Sequence, residues 1–272
     1  MSGNNTGVTG GADTPYVPYH EPGTITMLAG PCSIEDAAQM EEVAACLERN
    51  GLTWIRGGAF KPRTSPYSFQ GLGKEGLKLI CDASKAHGLK SLCEVLDTKH
   101  IDMAMDYVDA LQIGTRNMAN FELLKDIGQA TAKNHMPVLF KRGMAATIDE
   151  WLSAVEYITQ YGNPNIMLCE RGMRTFEIAT RFTLDISAVP VIHKRSLLPI
   201  CVDVSHPAGQ ADLVPALAKA AVASGADAVM IEIHPNPAKA KSDAAQQLTL
   251  SAFEALLEEL RKIAAAVGKV IV

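Results

Sequence analysis

No lysine or arginine precedes Arg49, and the opening residues also lack an apolar core segment, so the chain starts without the parts of a secretory signal. No uninterrupted apolar stretch approaches the ~18 residues of a transmembrane helix. Cysteines stand at 32, 46, 81, 93, 169 and 201 without CxxC spacing, and a chain of this length needs no disulfide staples. Reduced and mostly buried thiols are expected. An excess of basic residues is also absent: 25 Lys and Arg against 30 Asp and Glu leave a net charge of −5. That balance excludes a broad grip on the phosphates of nucleic acid while leaving room for a local basic pocket. These absences together point to a cytoplasmic protein with neither a membrane nor a nucleic acid as partner.

What is present is a globular chain of 272 residues, 47% hydrophobic and 20% charged. This is long for an ordinary domain but suits one (β/α)8 barrel of roughly 250 residues. Residues 1–23 are rich in Gly, Asn, Thr and Pro without hydrophobic period, and are expected to be a flexible arm ahead of a catalytic barrel over 24–272. From there, short apolar or β-branched runs alternate with helical patterns. The runs are ITMLAG (25–30), TWIRGG (53–58), LKSLCEV (89–95), ALQIG (110–114), PVLFKR (137–142), NIMLCER (165–171), PICVDVS (199–205) and AVMIEIH (228–234). Most are continuously apolar, as strands buried on both faces require. Eight successive strand–helix units favour the closed barrel, and GPCSIED stands where a dinucleotide-binding fold would carry GxGxxG.

Helix punctuation supports the pattern. Ser33 and Asp36 predict a capping box, with Met40, Ala44 and Leu47 on one face and Gly51 as the stop. Asp212 is expected to cap the helix that carries Pro215 in its first turn and ends at Gly225. Phe253, Leu256, Leu257, Leu260, Ile263 and Ala264 form the last apolar face, ahead of Gly268.

In a barrel the C-terminal strand ends converge on the active site. Here they carry Cys32, Arg56, Glu94, Arg116, Lys141, Arg171, Asp203, His206 and Glu232 in order. Basic residues gathered without acidic partners imply an anionic substrate, phosphate or carboxylate. The loop GGAFKPRTSPYSFQGLG adds Lys61, Arg63, Thr64 and Ser65, with Pro62 and Pro66 restricting its shape. Cys32, His206, Glu232 and Asp243 have metal-ligand chemistry, and a mixed S, N and O set suits Mn, Fe, Co or Zn better than Mg or Ca. His193 and His234 are rival nitrogens, and Cys93 and Cys169 rival thiols.

LAGPCSIED, GGAFKPRTSPYSFQG, EVLD, LQIGTRN, LFKRG, CERG, DVSHPAG and EIHP followed by SD resemble, in order and spacing, the 3-deoxy-D-arabino-heptulosonate 7-phosphate (DAHP) synthase family. The likeness runs from about Met27 to Leu250 and points to the shorter branch, related to 3-deoxy-D-manno-octulosonate 8-phosphate synthase. It implies a transferase of the shikimate pathway that condenses phosphoenolpyruvate with erythrose 4-phosphate and releases phosphate. It further implies one divalent metal ion on Cys32, His206, Glu232 and Asp243, with phosphoenolpyruvate on Arg116, Lys141 and Arg171 and Arg56 beside them. Lys61, Arg63 and Thr64 then hold the aldose phosphate, Lys61, Lys141 and His206 serve catalysis, and Glu94 and Asp203 match further family positions.

The octulosonate branch has an Asn-containing KANRSS-type loop where this chain has KPRTS, which favours the four-carbon aldose. A catalytically silent barrel is disfavoured by the intact ligand set, and a class II aldolase by the absence of a paired-histidine motif. No segment outside arm and barrel is left for an appended regulatory domain, so feedback control is expected from a separate partner or not at all. A homo-oligomer is expected from the behaviour of such barrels.

Overall fold

The computed structural model describes residues 20–62 and 65–272, and each of the eight runs forms a strand within it. They are β1 (Thr24–Gly30), β2 (Trp54–Arg56), β3 (Lys90–Val95), β4 (Ala110–Ile113), β5 (Val138–Lys141), β6 (Ile166–Glu170), β7 (Ile200–Asp203) and β8 (Ala228–Glu232). Every neighbouring pair is parallel. Leu28 of β1 pairs with Trp54 of β2 on one side and with Met230 of β8 on the other, which closes the sheet into a (β/α)8 barrel.

Period-two alternation divides the strand residues into two cores. Leu28, Trp54, Leu92, Ala110, Leu139, Met167, Cys201, Ala228 and Met230 fill the barrel interior, a packed core rather than a pore. The alternate residues, among them Met27, Ile55, Val138, Phe140, Leu168, Val202 and Ile231, face outward into the larger core under the helices.

The helices are α1 (Ala37–Arg49), α2 (Lys74–Ala86), α3 (Ile101–Met105), α4 (Phe121–Ala132), α5 (Ile148–Thr159), α6 (Ala188–Arg195), α7 (Ser205–Ala208), α8 (Val214–Ala223) and α9 (Leu250–Ala266). Asp36 is the N-cap of α1 and accepts from Gln39 N at 2.8 Å, whereas Ser33 turns instead to Ser242 across the barrel mouth. The expected Ser33–Asp36 capping box is therefore replaced by a single Asp cap. A capping box does occur at α5, between Thr147 and Glu150. Asp212 caps nothing: Leu213 occupies the N-cap of α8 with no side-chain bond, and Pro215 supplies the helical φ of the first turn. On α9, Phe253, Leu256, Leu257 and Leu260 are buried, each contributing about 1.5–3 kcal/mol.

A two-residue strand, β9 (Val270–Ile271), pairs with Thr24 and Ile25 outside the closed ring. It is too short to show a hydrophobic period. Of the expected arm, residues 1–19 lie outside the described residues, while His20 Nε2 lies 3.5 Å from Asp227 and Gly23 O accepts from Val270 N. Among the described residues no helix is long and apolar enough to cross a membrane.

Candidate active site

The same alternation that packs the interior aims the polar residues. Arg56, Glu94, Lys141, Arg171, Asp203 and Glu232 each follow an interior apolar residue by two positions, after Trp54, Leu92, Leu139, Cys169, Cys201 and Met230. They cap the core as its topmost layer. Gln112, two beyond Ala110, joins that layer and donates to Glu94 Oε2 at 2.9 Å. A Cβ on Gly114 would lie 2.0 Å from Glu94 Oε1, so any larger residue there would displace the Glu94 carboxylate from this position.

At one side of this layer Cys32, Glu232 and Asp243 each place a ligand atom within 4.8 Å of the other two. His206 adjoins the group, with Nε2 3.6 Å from Glu232 Oε1 and Nδ1 2.7 Å from Asp203 Oδ2. A carboxylate on the far nitrogen fixes an imidazole's orientation and leaves Nε2 facing the group, as metal-ligating histidines require. Asp243 is held in the left-handed region at φ +45°, an arrangement that costs backbone energy and recurs at functional sites. Burial, then Glu232 and Asp243, push the Cys32 thiol up to about 11, against the pull of Lys61 and Arg56. Asp243 stays at about 2 despite burial, because Arg181, His206 and Lys61 favour its charge. Burial opposes the charge of Glu232 too, and His206, Arg56 and Lys61 outweigh it and hold the carboxyl below its usual range. One sulfur, one imidazole nitrogen and two ionised carboxylates form a donor set that fits a divalent first-row ion.

Beside this group opens a cleft of about 300 Å³, lined by Lys61, Arg116, Lys141, Arg171 and Arg181 among others. Lys141 Nζ donates to Asp203 Oδ2 at 2.6 Å, and the same oxygen faces His206. Burial works against Asp203, yet His206 and Lys141 hold its carboxyl well below the usual carboxylate range. Arg171 is different. It is 5% exposed and forms no ion pair among the described residues, donating to Gly172 O at 3.4 Å and stacking over the Phe182 ring at 4.0 Å. Burial depresses its pKa, with the attraction of Asp203 opposing. Arg116 lines the same cleft and stands exposed, also without an ion pair among the described residues.

The structure thus brings Cys32, Lys61, Glu94, Arg116, Lys141, Arg171, Asp203, His206, Glu232 and Asp243 to one end of the barrel. Arg63 and Thr64 lie outside the described residues. The expectation that the basic residues lack acidic partners fails twice: Lys141 is paired with Asp203, and Arg56 donates to Glu232 Oε1 and to Pro31 O, both at 2.8 Å. Arg56 lies beneath the cleft rather than in its wall, so its direct role here is to neutralise Glu232. Lys61 likewise donates to Cys32 O at 2.9 Å and Sγ at 3.0 Å.

The rival ligands are placed elsewhere. His193 pairs with Asp227 at the start of β8, His234 Nδ1 accepts from Asn236 N, Cys93 faces the outer core and Cys169 lies deep in the inner one. Three residues were not anticipated. Gln246 Nε2 donates to Glu232 Oε2 at 2.6 Å, Gln247 Oε1 accepts from Cys32 N at 3.1 Å, and Arg181 bridges Asp243 (3.1 Å) and Gln246 (2.8 Å). No charge pattern or period marks the two glutamines, and Arg181 lies in a loop without repeat.

A sequence model of the DAHP synthetase I family matches residues 21–267. Phospho-2-dehydro-3-deoxyheptonate aldolase of Thermotoga maritima is 49% identical over 246 residues, covering 90% of this chain and 72% of that protein. A 2-dehydro-3-deoxyphosphooctonate aldolase of Rhodopseudomonas palustris is 32% identical over 254 residues, covering 87% and 86%. Among solved structures, the crystal structure of the Thermotoga maritima DAHP synthase matches with a TM-score of 0.89 and 46% identity, over 93% of this chain and 72% of that one. A truncated form of the same synthase matches with a TM-score of 0.86 and 43% identity, over 93% and 91%.

Proposed function

The chain belongs to the DAHP synthetase I family, a family of transferases, and from that premise we propose that it condenses phosphoenolpyruvate with erythrose 4-phosphate to give DAHP and phosphate, the first step of the shikimate pathway. The observation that carries the reading is Arg171. A buried guanidinium without an ion pair among the described residues calls for an anion to complete it, and its surroundings are a cleft of matching charge. Phosphoenolpyruvate brings a carboxylate and a phosphate of about −1.5 to −2. Arg171, Arg116 and Lys141 face that charge from three different strand ends, which orients the molecule as well as holding it.

In the reaction C3 of phosphoenolpyruvate bonds to the aldehyde carbon, water supplies the oxygen added at C2, and phosphate leaves. Two anions must be held in near-attack geometry, and the cleft cations offset their repulsion; such positioning is worth up to ~7–11 kcal/mol. Lys61 lies where the cleft meets the Cys32 group, beside Ser65 and Ser68 of the same loop, and is assigned to the aldehyde end of the aldose. Arg63 and Thr64 are assigned to its phosphate on the KPRT pattern alone. Lys141 is the group for proton transfer. Its ammonium and Asp203 share a short contact, and His206 on the same carboxylate stabilises the charge whenever the proton moves.

Cys32, His206, Glu232 and Asp243 would hold a divalent ion, Mn, Fe, Co or Zn, which when bound supplies Lewis acidity toward the aldehyde oxygen. Arg56 and Gln246 keep Glu232 ionised and turned toward the ligand group. A cytoplasmic location and homo-oligomeric assembly belong to the same reading. The test is phosphate release by the purified protein. It should require both phosphorylated substrates and cease on chelation, and release from phosphoenolpyruvate alone at the same rate would contradict the reading.

A further inference from the structure

Arg142 follows Lys141 in the LFKRG motif, but strand alternation sends its side chain the other way, out of the barrel. It is 4% exposed, does not line the cleft, and packs over Trp151 with 5.8 Å between guanidinium carbon and ring centroid. There it joins three pieces of backbone. Nη1 donates to Glu170 Oε2 at 2.9 Å and to Asp185 Oδ2 at 2.8 Å, and Nε donates to Ala146 O at 2.9 Å. The other oxygen of Glu170 accepts from Gly172 N at 2.7 Å. Arg142 is therefore tied, through the fully buried carboxylate of the residue before Arg171, to the backbone N–H of the residue after it.

Asp185 closes the other end of the same loop. Residues 171–185 leave β6, fold back through the antiparallel Met173–Thr183 bridge and return to the barrel wall at Asp185. This excursion carries Phe182, on which Arg171 stacks, and Arg181, which reaches Asp243. Gly172 sits at φ +90°, where a Cβ would meet Phe182 Cβ at 2.8 Å and Pro207 Cβ at 2.9 Å, so the loop base is tightly packed. Among the described residues Arg171 has no ion pair of its own to fix it, and both of its contacts, Gly172 O and the Phe182 ring, belong to this frame.

We propose that Arg142, with Glu170 and Asp185, is a positioning residue for the anion site: an ion-paired brace behind the barrel wall that aims Arg171 and its Phe182 stack into the cleft. The inference rests on the reading of Arg171 as a phosphoenolpyruvate ligand. The brace should govern affinity for that substrate and leave the aldose subsite, on the β2 side, untouched. A lysine ammonium can take the place of Nη1 between the two carboxylates but has no second nitrogen for the Nε bond to Ala146 O.

The test compares wild type with Arg142→Met, Arg142→Lys and Asp185→Asn, each supplied with a divalent ion. Phosphoenolpyruvate affinity is read by calorimetry, KM for each substrate by phosphate release, and melting temperature by scanning calorimetry. Arg142→Met should weaken phosphoenolpyruvate binding tenfold or more with the aldose KM within twofold, and Arg142→Lys should recover part of the loss. Should Arg142→Met not fold, Asp185→Asn decides, with an expected threefold or greater weakening for phosphoenolpyruvate alone. Wild-type affinity in the folded variants, or equal loss for both substrates, would overturn the brace. Failure of wild type itself to bind phosphoenolpyruvate would instead remove the substrate reading.

Discussion

Replacing Arg171 by methionine should move stability and binding in opposite directions. The guanidinium is 5% exposed and unpaired among the described residues, so in the free protein it bears a desolvation penalty that Asp203 offsets only in part. Such penalties amount to several kcal/mol per ion, while the stack on Phe182 returns about 0.5–2 kcal/mol. Methionine fills much of the same volume without charge. The free protein should gain roughly 1–2 kcal/mol, which at ~2–4 °C per kcal/mol raises the melting temperature by a few degrees. Phosphoenolpyruvate should lose charge-assisted hydrogen bonds of about 1.5–3 kcal/mol, a fall in affinity of roughly 10- to 150-fold. Lys141→Met provides the contrast. Its ammonium is already paired at 2.6 Å with buried Asp203, so its loss leaves that carboxylate with His206 alone and should lower the melting temperature instead of raising it. Scanning calorimetry without substrate and titration calorimetry with phosphoenolpyruvate read both quantities. If Arg171→Met melted lower than wild type and bound phosphoenolpyruvate as tightly, the picture of an unpaired cation awaiting its anion would be wrong.

Other outcomes follow from the same geometry. Cys32→Ala should lose the divalent-ion site, read as loss of the thiolate-to-cobalt absorption band, whereas Cys169→Ala, deep in the inner core, should keep both band and activity. Gln246→Leu removes the donor on Glu232 Oε2 and should weaken metal affinity about tenfold, since outer partners of ligands typically contribute 10- to 100-fold; unchanged affinity would assign the bond to packing alone. His87 lies between Glu48 (2.6 Å) and Glu41 (3.0 Å), and Glu48 chiefly, with Glu41 and against burial, raises its pKa above the ordinary 6.5. A raised folded pKa means the stabilisation is complete below the unfolded value and lost as pH rises through the folded one. The melting-temperature gap between wild type and His87→Gln should accordingly shrink from pH 5.5 to pH 9, and a constant gap would refute the linkage.

The barrel was legible because its code is local: eight apolar runs, seven of them carrying a polar residue in phase with the interior near the C-terminal end. The candidate site was read from position at the strand ends, and the structure adds the phase: Arg56, Lys141, Asp203 and Glu232 continue the inward series of Trp54, Leu139, Cys201 and Met230. Partnership was not legible. Arg56 and Glu232 meet across 176 positions of chain, and nothing in either neighbourhood announces that each neutralises the other. The glutamines at 246 and 247 escaped for a related reason, because a neutral side chain that orients a ligand carries no pattern of charge or spacing. Arg142 and Glu170 sit beside cleft residues in sequence and point away from them in space, a distinction that alternation alone decides. Capping was misjudged at Ser33 because a tertiary contact took its hydroxyl, and at Asp212 because the helix starts one residue later, with Leu213 as its N-cap and Pro215 in the first turn.

The proposed reaction pairs phosphoenolpyruvate with a four-carbon aldose phosphate. Its most direct test is a competition in one vessel: purified enzyme, a divalent ion, phosphoenolpyruvate, and equal erythrose 4-phosphate and arabinose 5-phosphate, with products resolved by mass spectrometry. The seven-carbon product is expected in large excess, formed one for one with released phosphate. Predominance of the eight-carbon product, or consumption of phosphoenolpyruvate without either, would contradict it.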